Sequence, residues 1–116
     1  MPPRQWRLRV EDILDAIAKV ERYVDGLTFE QFQADEKTID AVIRNLEVIG
    51  EAVRHLVTIS AELPVIIPWA DIAGMRNILI HEYFGVDLQI MWQTVSKDLP
   101  TLKGELQTLL RNTGAQ

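Results

Sequence analysis

Arg76, Asn77, His81 and Tyr83 fall within one run of eight residues, Arg76-Asn77-Ile78-Leu79-Ile80-His81-Glu82-Tyr83. Together they offer a permanent cation, an amide, a group that takes or gives a proton near neutral pH, and a phenol. That set suits phosphate chemistry: a guanidinium can neutralise a phosphoryl group with a planar fork of donors, and an imidazole can move the proton. Each residue alone also has a plainer account. Arg76 can pair with Glu47 or Glu51, His81 can sit near a helix C-terminus where the dipole favours it, and Tyr83 can pack its ring with the hydroxyl at the surface. His55 falls to solvent or to an interface. It is the combination that points to a site.

The run reads as a helix, and helical geometry constrains it. At about 100° per residue, Arg76 and Tyr83 lie about 20° apart, whereas Asn77 and His81 share a neighbouring face. Arg76 is flanked in projection by Ile72, Leu79 and Ile80. An unpaired charge emerging from such an apolar stripe is costly, so Arg76 calls for a carboxylate or a phosphate. Arg76 and His81 are about 140° apart around the axis and about 7.5 Å apart along it, so a single helix does not easily aim both at one atom.

The rest of the chain supplies elements to hold that helix. Val10, Ile13, Leu14, Ile17, Val20 and Val24 follow the three-and-four spacing of one helical face, with Gly26 placed to end it. Thr28-Phe29-Glu30-Gln31 has the capping-box pattern and opens a short turn or helix. Ile39, Val42, Ile43, Leu46, Ile49, Val53, Leu56 and Val57 continue one stripe over a long helix ending near Ser60, whose opposite face carries Arg44, Glu47, Glu51, Arg54 and His55. Pro64 and Pro68 punctuate a loop, and Pro68 suits the first turn of the helix carrying the polar run. That helix extends through Trp69, Ile72, Met75 and Leu79 to about Phe84 and Gly85. Asp87 then caps a final helix or pair carrying Ile90, Met91, Val95, Leu99, Leu102, Leu106, Leu109 and Leu110, with Pro100 giving a kink or a fresh start.

No strand-like alternation interrupts these stripes, so the expected fold class is all-α: an antiparallel bundle of four to five helices. At 116 residues the chain is the size of one domain, residues 1–116, with residues 1–8 and 112–116 expected to be flexible termini. Without cysteine there are no disulfides, thiolate metal ligands or cysteine nucleophiles. Glu47 and Glu51 stand one turn apart, but no Glu-x-x-His accompanies them, so a carboxylate metal centre is not expected, and neither is a cofactor. The glycines are scattered, which excludes a phosphate-cradling glycine loop. No apolar run has the length of a signal peptide or a membrane span, so the expectation is a cytoplasmic protein with no membrane partner. Seventeen acidic against twelve basic residues give a formal charge of -5, so any contact with nucleic acid must be local or aided by a partner, and DNA is not expected.

Arg76, His81 and Tyr83 resemble the R-x4-H-x-Y signature of HepT-like toxins in the HEPN superfamily, and Asn77 is the polar residue that often follows its arginine. The resemblance extends over Ala41 to Ala52, with Arg44, Glu47, Ile49, Gly50, Glu51 and Ala52 resembling the long-helix segment around its "IGEA" core. Pro68-Trp69, Gly74-Met75, Val86-Asp87 and Trp92 fit too, so it covers about Val10 to Leu110.

What the resemblance implies is a metal-independent endoribonuclease, dimeric, with its cleft at the subunit interface and an RNA substrate for which transfer RNA is a candidate. Arg76 and His81 would be catalytic, and Asn77 and Glu51 supporting. The implied partner is an antitoxin of the minimal nucleotidyltransferase family, and Tyr83 resembles the tyrosine to which that partner attaches adenylate. Two other readings stand beside this one. The first is a non-catalytic helical dimer that binds a nucleotide or the nucleotidyltransferase, with Arg76 as a phosphate clamp. The second is a structural four-helix adaptor in which Arg76 and Glu51 form a buried pair while Trp69 and Trp92 fill the core.

Overall fold

A computed structural model of the chain describes residues 5–58 and 87–114. All regular elements among them are helical: α1 (Gln5–Val24), α2 (Phe29–Gln33), α3 (Glu36–Thr58), α4 (Leu88–Gln93), a π-helical turn (Thr94–Asp98) and α5 (Leu99–Gly114). The all-α expectation holds for these residues.

Helix α1 buries Trp6, Val10, Ile13, Ile17 and Val20, residues spaced alternately by four and three, with Leu14 and Val24 at the margin of the same face. It begins earlier than the stripe from Val10 suggests. Residues 5–8, read from the sequence as part of a flexible terminus, form its first turn. The reason is Trp6, only 5 % exposed, whose indole extends the core by one turn while the Arg7 guanidinium lies 5.0 Å from its ring centroid. Gly26 ends the helix as its spacing predicts. Its φ of +76° is left-handed backbone that a side chain would strain, and the Leu27 N–H donates to the Val24 carbonyl.

Two caps set the next entries. Thr28 Oγ1 accepts from the Gln31 N–H while Gln31 Oε1 accepts from the Thr28 N–H, the reciprocal box that the sequence shows, and it orients α2 so that Phe32 is fully buried. Asp35 does the same for α3: Oδ1 accepts from the Thr38 N–H at 3.1 Å and Oδ2 from the Thr38 hydroxyl at 2.7 Å. These hydrogen bonds, with Lys37 nearby, hold the Asp35 carboxyl below its ordinary range. The cap starts α3 at Glu36, one turn before the apolar stripe that marks it in the sequence.

Helix α3 is the spine of the molecule and packs chiefly on α1. Val42, Leu46, Ile49, Val53 and Leu56 are fully buried along it. At roughly 1.5–3 kcal/mol for a fully buried side chain of this kind, such a row anchors the helix firmly. Ile39 and Ile43 are half-buried. Val57 departs from the expected stripe and is exposed, because about 100° of rotation past Leu56 carries it off the core face.

Asp87 caps α4, accepting from the Gln89 N–H at 2.7 Å as expected. Trp92 is half-buried rather than a core filler. Its ring meets Phe32 at 5.0 Å and Phe29 at 6.1 Å between centroids, which ties α4 to α2. The helix then passes Pro100 without a fresh start. Proline lacks an N–H and its ring crowds the carbonyl four residues back. The turn over Thr94–Asp98 widens instead, so that the Leu99 N–H reaches the Thr94 carbonyl five residues earlier and the chain continues into α5. Leu99, Leu102, Leu106 and Leu109 close the core, and a Lys103–Glu21 ion pair at 3.0 Å joins α5 to α1 at the surface. No helix among the described residues is long and apolar enough to cross a membrane.

Candidate active site

The polar run lies between two anchored elements. Helix α3 leads to it and ends at Thr58, and the Asp87 cap of α4 follows it. Arg76, Asn77, His81 and Tyr83, together with Pro68 and Trp69, lie outside the described residues.

Of the site residues read from the sequence, Glu51 is the one described. It stands on the outward face of α3 with Arg44, Glu47 and Arg54, all exposed. Its side chain is 77 % exposed, and its Oε2 meets the Arg54 guanidinium at 3.5 Å, one turn along the same helix. A pair of this kind, at long range and open to water, is worth little. The adaptor reading expects this carboxylate to be buried against Arg76, which lies outside the described residues; among those described, α3 turns it outward. Helical rotation explains it, because Glu51 points away from the side that carries Val42, Ile49, Val53 and Leu56. Glu47 is exposed as well, and the described residues hold no group of three His, Asp or Glu side chains placed to share a metal ion. His55 is half-buried in the last turn of α3.

Sequence reasoning missed Asn45. Only 8 % exposed, it sits on the flank of α3 beside Val42 and Ile49, and its Nδ2 donates to the Ala41 carbonyl at 2.8 Å. The signal was present: an amide at a position three residues after one core residue and four before another is a buried polar group in need of partners. Asp98 is a second group the sequence did not single out. Partial burial pushes its carboxyl up, against a smaller opposing effect of Lys97.

The described helices provide the frame, and the family comparison covers the polar run in sequence. The family described as ribonuclease HepT-like matches residues 13–109, a span that includes Arg76 through Tyr83. This chain belongs to the ribonuclease HepT-like family. A protein described as a probable ribonuclease HepT from Thermococcus cleftensis is 46 % identical over 100 residues, covering 86 % of this chain and 91 % of its own length. A putative RNase from Caldanaerobacter subterraneus subsp. tengcongensis is 41 % identical over 102 residues, covering 88 % of this chain and 91 % of its own. A putative RNase from Methanocaldococcus jannaschii is 36 % identical over 107 residues, covering 92 % and 98 %. No solved structure matches the chain. The matched span runs from the third turn of α1 to the penultimate turn of α5, so the HepT-like unit and the helical frame coincide.

Proposed function

We propose that this HepT-like protein is a metal-independent endoribonuclease, the toxin of a toxin–antitoxin pair, with Arg76 and His81 as its catalytic residues. The observation that carries the reading is the intact Arg76-x4-His81-x-Tyr83 set inside the span matched to the ribonuclease HepT-like family. Cutting RNA without a metal requires a proton to leave a ribose 2′-OH, the oxygen to attack the adjacent phosphorus, and the departing 5′ oxygen to be protonated. His81 serves the proton transfers. Arg76 neutralises the charge gathered on the phosphoryl oxygens, and Asn77 orients the imidazole or the phosphate by hydrogen bonds. The products are a 2′,3′-cyclic phosphate and a 5′-hydroxyl. Glu51, exposed on α3, is a supporting residue.

A homodimer completes the site in this reading. The angular separation of Arg76 and His81 on one helix, about 140°, is overcome when two copies meet across a two-fold axis and Arg76 of one chain works beside His81 of the other. Tyr83 is the point of control. A minimal nucleotidyltransferase antitoxin transfers adenylate from ATP to the Tyr83 oxygen, releasing pyrophosphate. The added phosphate then occupies the neighbourhood of Arg76 and His81 and repels RNA. Transfer RNA is the first substrate to try, and the cytoplasm the expected compartment.

The negative net charge favours a second reading, a non-catalytic dimer that binds nucleotide or the nucleotidyltransferase, because a free RNA-cutting enzyme gains from a positive approach surface. One experiment separates the two. Purified protein, shown by mass to carry no adenylate on Tyr83, is incubated with a total-RNA pool in EDTA beside folded Arg76→Ala and His81→Ala variants. Cleavage by the wild type alone, leaving cyclic phosphate ends, supports the nuclease. No cleavage by the unmodified wild type overturns it in favour of the binding protein.

A further inference from the structure

We draw no further inference here: the strongest candidate, the buried Asn45 amide on the flank of α3, donates to the Ala41 carbonyl, and nothing among the described residues shows what the rest of the amide meets.

Discussion

Glu51 offers a sharp test, because two accounts of this protein assign it opposite energetics. If Glu51 were the buried counter-ion of Arg76, removing its charge would strand a guanidinium in the core and cost roughly 3–5 kcal/mol. The structure argues for something much smaller. The side chain is 77 % exposed, and its Arg54 partner is 52 % exposed at 3.5 Å. An i,i+3 pair of this type contributes on the order of 0.3–0.5 kcal/mol before salt screening. We expect Glu51→Gln to lower stability by less than about 1 kcal/mol, a shift of at most a few degrees in melting temperature for a domain of this size.

Urea unfolding of wild type and Glu51→Gln at low and at 0.5 M salt provides the assay. Since the variant shortens nothing, the slope of free energy against denaturant should be unchanged, and the small difference between the proteins should shrink at the higher salt. A loss of about 3 kcal/mol or more, insensitive to salt, would refute the reasoning and restore the buried pair. Measured in parallel, RNA cleavage then reports the supporting role by itself: a fall in rate at unchanged stability assigns Glu51 to the site, and an unchanged rate removes it.

Arg76→Ala and His81→Ala should each lower metal-free RNA cleavage by about 10²-fold or more, read as the rate of appearance of cyclic-phosphate ends in EDTA, with the unfolding midpoint kept as a check on folding. Phe32→Ala should cost about 3–5 kcal/mol in urea unfolding, since a fully buried ring in contact with Trp92 is deleted, and the tryptophan emission should shift to longer wavelength. Thr28→Ala should cost about 1 kcal/mol by removing one half of the capping box, seen as a lower midpoint at unchanged slope. Asp35 and Asp98 should show opposite pH dependences in thermal melts. The folded-state pKa of Asp35 is lowered, so its stabilisation is present above its ordinary pKa and disappears as pH falls through the folded value. Asp35→Ala should therefore be less stable than wild type at pH 7 and converge with it in acid. The folded-state pKa of Asp98 is raised, so its ionisation opposes folding at neutral pH. Asp98→Asn should be the more stable protein at pH 7, with the gain vanishing below the ordinary aspartate range.

The elements that sequence made legible are those whose signal is local. The Thr28–Gln31 box, the glycine stop at Gly26 and the Asp87 cap each depend on a few adjacent residues, and each forms as expected. The stripes of α1 and α3 were equally plain because burial enforces a regular spacing on apolar residues. What escaped depends on context. Trp6 joins the buried face of α1 because the core extends one turn before Val10, and Val57 leaves the stripe because rotation past Leu56 carries it off the core face. The widened turn at Thr94–Asp98 follows from Pro100, but a proline in a helix allows a break, a kink or a register change, and choosing among them requires knowing that Met91, Val95 and Leu99 must all remain in one core. Of the candidate site, the residue types and spacing were legible, and Glu51 was placed on the correct outward face of α3 together with Arg54, whereas the pairing of the two was not anticipated.

The charge balance constrains how a HepT-like nuclease of this kind can engage RNA. On the outward face of α3, Arg44 and Arg54 are offset by Glu47 and Glu51, and the Arg54 guanidinium already lies against a carboxylate. Such a face offers RNA no net attraction at a distance, since long-range steering depends on unbalanced charge. In the proposed reading, RNA affinity then rests on cations that act at contact, Arg76 among them. Two copies meeting at a dyad would double that local charge without altering the acidic exterior. In the proposed reading, the same arithmetic would make adenylylation of Tyr83 inhibitory, because one covalent phosphate would offset the few cations that act there.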